Sequence, residues 1–183
     1  MLENNLPSWR QDLKSSRIKE GESPSNRWVQ LATVNDKNEP RLRTVVFRGW
    51  KKDSSMIIFT DRRSQKIEHL KSNSNAEILW LFLKSKTQYR FKGEINELID
   101  NENYWNILSE KSKSSWFWGS PGEKINQKFQ STYEIPPNLP KPENFVVLKF
   151  EIYSVDLLIL EQPIHKRYLW EKNKKWKKIE INP

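Results

Sequence analysis

The chain has 183 residues, of which 36% are hydrophobic, enough apolar side chains for one core of ordinary size. We therefore expect a single domain that spans residues 1–183. The absence of cysteine excludes disulfides, thiolate metal sites and a cysteine nucleophile, and it fits a reducing cytoplasm. The sequence shows no signal-peptide pattern, and its apolar stretches are far shorter than the roughly 20 residues of a membrane span. We expect a cytoplasmic protein that does not contact membranes.

The formal net charge of +9 points to an anionic partner. Basic residues are interleaved with Asp and Glu along most of the chain, and the surplus concentrates in the tail at residues 172–178. This distribution argues against nucleic acid as the partner. It favours a small ligand that carries a phosphate group.

The N-terminal half predicts two helices among short strands. Ser8 is placed as the N-cap of a first helix that presents Trp9 and Leu13 on one face and ends near Gly21. Strands are predicted at residues 28–34, 41–50 and 56–60, the first two joined by a turn at 35–40. Ser64 is placed as the N-cap of a second helix over 65–70. Residues 76–82 and 87–98 then predict a hairpin.

The C-terminal half predicts helical structure followed by three more strands. Residues 101–129 have a helical pattern, interrupted by a loop at 116–122, and the proline-rich stretch 135–142 predicts a rigid connector. Strands are predicted at 144–160, 167–171 and 176–181. Strands, then helices, then more strands indicate an α+β fold of barrel type.

The sequence lacks the motifs of several common metal, nucleotide-binding and hydrolase sites. With only two histidines, His69 and His165, neither a zinc site nor a facial iron triad can be assembled, so we expect no metal. The five scattered glycines form neither a phosphate-binding P-loop nor a dinucleotide fingerprint. The sequence also lacks the nucleophile elbow of the hydrolases.

Two segments place cations beside hydroxyl residues at strand ends, at residues 43–48 and 59–66. An offset of five residues puts Arg43 and Arg48 on opposite faces of an extended strand, so they would serve different groups. Ser64 and Lys66 open the second helix. A helix N-terminus, a hydroxyl, a lysine and an arginine together form a suitable site for a phosphate ester.

The order of these motifs resembles the pyridoxamine 5′-phosphate oxidase superfamily. The pattern comprises Ala-Thr-Val ending a strand at 32–34, Arg-x-Val-x-x-Arg over 43–48, Phe-Thr at 59–60, Ser-x-Lys at 64–66, and Gln88 shortly before Gly93. Five weak signals in the right order and spacing make a moderately specific match. The end of the chain, residues 165–183, also resembles the end of the oxidase.

The resemblance implies an α+β fold, a mainly antiparallel split β-barrel with flanking helices, that binds FMN. The residues that it assigns to the cofactor are Arg43, Thr44, Val45, Val46, Arg48, Phe59, Thr60, Ser64, Gln65, Lys66, Gln88 and Arg167. Arg43 and Lys66 would bind the phosphate, with Thr60 and Gln65 beside it. The backbone of residues 44–46 would edge the flavin ring and Gln88 would bind its polar rim. Since Arg167 would reach the flavin of the partner subunit, the resemblance implies a homodimer.

The chain also departs from the oxidase pattern. Pro163 stands where the oxidase has a substrate-binding arginine, and Leu157 where it has a tryptophan near the flavin. Gln65 replaces a second phosphate-side arginine, and Arg48 replaces a substrate-side lysine. The stretch from Ser112 to Gly122 resembles the Trp-x-x-Pro-Gly region of an uncharacterised branch of the superfamily that is common in cyanobacteria, and we place the chain in that branch.

Three functions are compatible with these features. The first is a flavin oxidoreductase that acts on a small substrate, with or without a phosphate group, which would face Arg48 and His165; no residue is assigned as catalytic. The second is an FMN carrier or sensor without turnover, favoured by Pro163. The third is a basic RNA-binding barrel that stacks bases on Trp and Tyr. We interpret Trp116 and Trp118 as packing or dimer-interface residues.

Overall fold

A computed structural model describes residues 6–124 and 139–183. Six strands form a closed antiparallel barrel, which confirms the predicted fold class. They are β1 (Trp28–Val34), β2 (Pro40–Trp50), β3 (Met56–Asp61), β4 (Asn75–Phe82), β5 (Thr87–Glu97) and β6 (Phe145–Ile159). Their order is β3-β2-β1-β4-β5-β6, and pairing of β3 with β6 closes the barrel. β7 (Lys166–Glu171) and β8 (Ile179–Ile181) continue the sheet beyond β6.

The long strand β6 allows the barrel to close and the sheet to extend past it. Its residues 145–150 pair with β3, while residues 154–159 pair with β7. A bulge on β6, where Tyr153 is the extra residue opposite Lys92 and Gly93, adjusts the register of β6 against β5. A Cβ atom at Gly93 would lie 2.2 Å from the carbonyl oxygen of Glu151, so this crossing admits only glycine.

Within the described residues, four α-helices flank the barrel, and the first two mark its ends: α1 (Trp9–Glu20), α2 (Gln65–Ser72), α3 (Glu102–Asn106) and α4 (Glu110–Ser114). α1 closes one end, where the fully buried Trp9 ring lies 5.8 Å from the rings of Trp50 and Phe91. α2 lies at the other end, against β1. We call these the α1 end and the α2 end. α3 packs outside the barrel, where Trp105 is buried against Phe145.

Burial alternates along β1, β4 and β5, as the hydrophobic pattern predicts for a barrel with a packed interior, whereas β3 and the start of β6 are buried on both faces. In β1, Val29, Leu31 and Thr33 are buried while their neighbours are partly or fully exposed. Even-numbered residues of β1, and of β2 as far as Arg48, therefore face outward; a bulge between Phe47 and Gly49 then turns Trp50 toward the core. This alternation determines which site residues point toward the inside of the barrel.

Some details of the prediction need correction. Ser8 and Ser64 occupy the predicted N-cap positions, but neither side chain makes a capping hydrogen bond. The Ser8 hydroxyl instead accepts a hydrogen bond from Trp170 Nε1 at 2.9 Å. The last strand is shorter than predicted because Lys175 and Trp176 both have left-handed backbone conformations, with φ of 55° and 58°.

The predicted helical region from 101 to 129 contains two short helices, α3 and α4, followed by a 3₁₀ turn over Ser115–Phe117. Its end at residues 125–129, and residues 135–138 of the predicted connector, lie outside the described residues. Across the described residues, the structure contains no helix with both the length and the apolar character needed to cross a membrane.

Candidate functional site

Lys66 lies at the first turn of α2 and points back toward the end of β3. Its Nζ donates hydrogen bonds to Thr60 Oγ1 and Ser64 Oγ, each at 2.8 Å. The Ser64 hydroxyl in turn donates to the carbonyl oxygen of Asp61 at 2.6 Å. Burial, and then the nearby Arg43, lower the pKa of Lys66 to about 8. The lysine is therefore held in place by two hydroxyl groups with only part of its charge compensated.

Arg43 comes to the same place from β2, on the inward-facing row of that strand. Its Nη1 donates to Thr33 Oγ1 at 2.7 Å and to the carbonyl oxygen of Leu31 at 3.1 Å. Burial, and then repulsion by Arg41, lower its pKa. Because one guanidinium nitrogen makes both hydrogen bonds, the other donors of Arg43 keep a fixed direction and stay available.

We call the set the Arg43–Lys66 cluster, and it consists of Thr33, Arg43, Thr60, Ser64, Lys66 and His69. Within the described residues, neither cation of the cluster forms an ion pair. The neighbouring carboxylate, Asp61, is paired with Arg63 at 2.7 Å and also accepts from Asn144 at 2.8 Å. Partly buried cations without a counter-charge are unfavourable. An anion bound between them would relieve this cost.

The N-terminus of α2 adds to the anion preference of the cluster. The first amides of a helix have no acceptor four residues back, and the helix dipole is positive at this end. Gln65 and Lys66 supply the first of these amides. Phosphate is bound by this combination in many proteins.

Sequence reasoning assigned no role to Thr33 and His69, two members of the cluster. The buried Thr33 hydroxyl accepts from Arg43, and it lies 3.1 Å from His69 Nδ1. Burial, followed by the charges of Arg43 and Arg41, lowers the pKa of His69. Two features of the sequence could have indicated that Thr33 and His69 belong to the site. Thr33 alternates with Leu31 on the inward row of β1, and His69 follows Lys66 by three residues, which is about one turn of the helix.

The outer face of β2 carries another part of the predicted site. Thr44 is exposed and Val46 partly exposed on this face, whereas Val45 is buried inside the barrel. The Arg48 guanidinium lies 5.1 Å from the centre of the Phe59 ring. Arg43 and Arg48 thus lie on opposite faces of the strand, as their spacing predicts.

The structure does not bring Gln88 and Arg167 to the Arg43–Lys66 cluster. Both residues flank Leu158, Gln88 from β5 and Arg167 from β7, near the α1 end. β5 is three strands away from β2 in the barrel, about 14 Å along the sheet. The predicted site residues therefore form two separate groups within one chain.

Arg167 makes a fixed ion pair in the second group. Its guanidinium donates to Asp156 Oδ1 at 3.0 Å and to Oδ2 at 2.7 Å, and Arg90 Nη2 donates to the same Oδ2 at 2.5 Å. Burial raises the pKa of Asp156, but hydrogen bonds from Arg167 and Arg90 outweigh it and lower that pKa below its ordinary value. His165 is exposed, with Nδ1 at 2.9 Å from the carbonyl oxygen of Glu161.

Comparison with known proteins identifies the family. Residues 6–98 match the sequence profile of the pyridoxamine 5′-phosphate oxidase FMN-binding domain. The matched residues include β1 to β5 and the whole Arg43–Lys66 cluster. The chain belongs to this family. FMN is the cofactor of the family, and the cluster has the donors and the charge that an FMN phosphate needs.

Relatives of this oxidase family extend the similarity beyond the matched domain. The chain is 36% identical over 149 residues to pyridoxine/pyridoxamine 5′-phosphate oxidase 2 of Arabidopsis thaliana, covering 73% of this chain and 74% of that protein. It is 26% identical over 175 residues to pyridoxine/pyridoxamine 5′-phosphate oxidase of Coxiella burnetii, covering 84% and 83% of the two chains.

Solved structures share the fold over nearly the whole chain. A pyridoxamine 5′-phosphate oxidase-related, FMN-binding protein from Nostoc punctiforme superposes with a TM-score of 0.85 at 27% identity, covering 97% of this chain and 99% of that one. PhzG from Burkholderia lata, in complex with tetrahydrophenazine-1-carboxylic acid, gives 0.75 at 19% identity, covering 96% and 89%. At that identity, the second comparison shows the fold alone.

Proposed function

We propose that this protein is an FMN-dependent oxidoreductase that works as a homodimer on a small substrate, with or without a phosphate group. The observation that carries the proposal is the Arg43–Lys66 cluster, two partly buried cations that no carboxylate pairs within the described residues. The family match supplies the identity of the anion, the phosphate of FMN.

In this proposal the phosphate of FMN lies between Arg43 and Lys66. Thr60 and Ser64 orient the Lys66 ammonium, and Gln65 and the first amides of α2 complete the set of donors. The ring edge would follow the backbone of residues 44–46 on β2, beside Phe59. Arg48, whose guanidinium lies above the Phe59 ring, would then be close to the substrate that reacts with the flavin.

A second copy of the chain would complete the site. Gln88 and Arg167 are too far around the barrel to join the cluster of their own chain, so they would reach the flavin of the partner. The outward face that carries Thr44, Val46 and Gln88 also exposes large apolar side chains, namely Trp28, Leu42 and Leu81. Apolar side chains on a sheet face beside polar site residues are typical of a subunit interface.

The flavin, when bound, supplies the redox chemistry by accepting a hydride from the substrate. The residues of the chain would bind and orient the reactants. Arg48 carries a positive charge for an anionic substrate, and His165 of the partner subunit would face the same substrate. Pro163 cannot bind a substrate phosphate as an arginine would, which argues against pyridoxine 5′-phosphate as the preferred substrate.

The same Pro163 favours a second candidate, an FMN carrier or sensor that binds the cofactor without turnover. Both candidates predict a yellow protein that retains FMN. They differ in whether any substrate is oxidised.

The first experiment measures FMN retention by absorption spectroscopy after excess cofactor is removed. We expect Arg43→Ala and Lys66→Ala to lose the flavin band that the unmodified protein keeps. Matched controls are Arg41→Ala on the same strand and Lys71→Ala on the same helix, both exposed, which should retain the band. A colourless unmodified protein at saturating FMN, or equal losses in the controls, would refute the proposed cofactor site.

The second experiment measures oxygen consumption by the FMN-loaded protein with pyridoxine 5′-phosphate, pyridoxamine 5′-phosphate and their dephosphorylated forms. We expect slow turnover of the two phosphates because Pro163 replaces the arginine. Broader screening of small amines and alcohols should reveal a substrate whose turnover falls in Arg48→Ala while FMN stays bound. If no substrate reduces the flavin, the protein is a carrier.

A further inference from the structure

An open groove of about 760 Å³ runs along α1 at the α1 end of the barrel. Its walls are formed by α1, by residues 6–8 before it, by Asn26 and by Trp50. The residues proposed to hold FMN do not line it. On β2, Trp50 is seven residues from Arg43, which corresponds to about 20 Å of extended strand. The groove is thus separate from the Arg43–Lys66 cluster.

Three cations of α1 line the groove: Arg10, Lys14 and Arg17. Their spacing of four and then three residues places them on one face of the helix, and the two arginines are about 10 Å apart along its axis. Among the described residues, the lining contains no Asp or Glu. The groove therefore has a positive potential along its length.

Aromatic rings hold both guanidinium groups in place. Arg10 lies 3.9 Å from the centre of the Trp50 ring. Arg17 lies 5.1 Å from the Phe47 ring and 5.2 Å from the Trp80 ring, and its Nε donates to Asn26 Oδ1 at 2.9 Å. Stacking of this kind fixes the direction of the remaining guanidinium donors.

Among the residues that the structure describes, no carboxylate pairs with Arg10 or Arg17, and Arg10 Nη1 is buried without a hydrogen-bond partner. Burial, and then repulsion by Arg17, lower the pKa of Arg10 to about 10, so that it still carries its charge at neutral pH. A solvated surface arginine would be flexible and hydrated, whereas these two are partly buried and oriented.

We propose that this groove is a second anion-binding site, which takes a small elongated molecule with more than one phosphate group and spans Arg10 and Arg17. Oriented guanidinium groups bind phosphate oxygens through paired hydrogen bonds. A ligand that reaches both arginines gains from two attachments, whereas a single phosphate reaches one. The site does not depend on the proposed oxidoreductase function.

The test is isothermal titration calorimetry of the FMN-loaded full chain with tripolyphosphate and with inorganic phosphate at equal ionic strength. FMN occupies the phosphate cluster during the titration and removes it from competition. We expect tripolyphosphate to bind at least about tenfold more tightly than phosphate, because it can bridge the two arginines. Equal affinity for both probes would overturn the proposed elongated site.

Variants locate the binding. Arg10→Gln combined with Arg17→Gln should weaken tripolyphosphate binding by about tenfold or more. The exposed Lys14→Gln, which has little effect on folding, should weaken it by about threefold. The matched control is Lys51→Gln with Lys52→Gln, which removes the same number of charges from an exposed loop and should leave the affinity unchanged.

Two results would contradict the proposal. If the Arg10/Arg17 double variant and Lys14→Gln bind tripolyphosphate as tightly as the unmodified protein, the groove is not the site. If a single-stranded oligonucleotide binds about a hundredfold more tightly than tripolyphosphate, and the same variants abolish that binding, the groove is a nucleic-acid surface instead.

Discussion

Lys66 combines a half-buried position with a pKa of about 8, lowered first by burial and then by Arg43. In the free protein its ammonium group therefore loses its proton as the pH rises through about 8. Because bound phosphate stabilises the protonated form, FMN affinity should be constant up to about pH 8. Above that pH it should fall, approaching tenfold per pH unit. Titrating the dissociation constant of FMN from about pH 7 to about pH 9.5 measures this.

Lys66→Arg is the control for this pH dependence. A guanidinium keeps its charge throughout that range, so the FMN affinity of the variant should stay flat. The same decline in Lys66→Arg as in the unmodified protein would show that another group is responsible.

Thr33 orients Arg43, since its hydroxyl accepts from Arg43 Nη1 at 2.7 Å and also contacts His69. Thr33→Val preserves the shape of the side chain but removes this acceptor, so Arg43 should lose its fixed direction and FMN affinity should fall by about tenfold. Thr33→Ser keeps the hydroxyl and should bind FMN normally. Fluorescence titration of FMN compares the three proteins; equal affinities for Thr33→Val and the unmodified chain would exclude this orienting role.

At the scale of single elements, the most constrained position is the crossing of β5 and β6. A methyl group at Gly93 would lie 2.2 Å from Glu151 O and 2.7 Å from Phe150 Cε2. Gly93→Ala should therefore destabilise the fold by about 1–3 kcal/mol, because the two strands must separate. Urea unfolding measures the change. Lys92→Ala, the exposed neighbour, should change stability by less than about 0.5 kcal/mol.

Elements of the barrel could be predicted from the sequence because β1, β4 and β5 alternate buried with more exposed residues, and β3 is a short apolar run between turn residues. β1 and β2, for example, lie within a residue of their predicted ranges. The N-cap positions of Ser8 and Ser64 were predicted correctly, but the hydrogen bonds of their side chains were not, because a serine hydroxyl before a helix has several possible partners. The Ser8 hydroxyl accepts a hydrogen bond from Trp170, which is 162 residues away, and no local sequence pattern predicts such a contact.

At the scale of the whole molecule, the sequence motifs predicted which residues form the site but could not predict where those residues lie in space. Arg43 and Lys66 converge because a strand and the start of a helix meet at the α2 end. Gln88 and Arg167 lie together at a different place, on either side of Leu158. Periodicity fixes the face of a strand, whereas the distance between two strands depends on how the sheet closes. Only the folded chain shows that the predicted site residues form two groups.

This separation leads to a test of the dimeric site by mixing subunits. Suppose that Arg43→Ala and Arg167→Ala each abolish FMN retention. If each flavin site takes Arg43 from one subunit and Arg167 from the other, a mixed dimer has one site with both residues intact and one with neither. Co-expression with two affinity tags, followed by purification on both, should then give about one FMN per dimer.

A mixture of Arg43→Ala with Lys66→Ala provides the control. Both residues belong to one cluster of one chain, so every site of that mixed dimer keeps one lesion and no FMN should return. If Arg167 served the flavin of its own chain, the first mixture would stay as colourless as this control, since each of its sites would also carry one substitution. Restoration in the first mixture alone would therefore require that the two residue groups meet across the subunit interface, as the proposed dimeric site predicts.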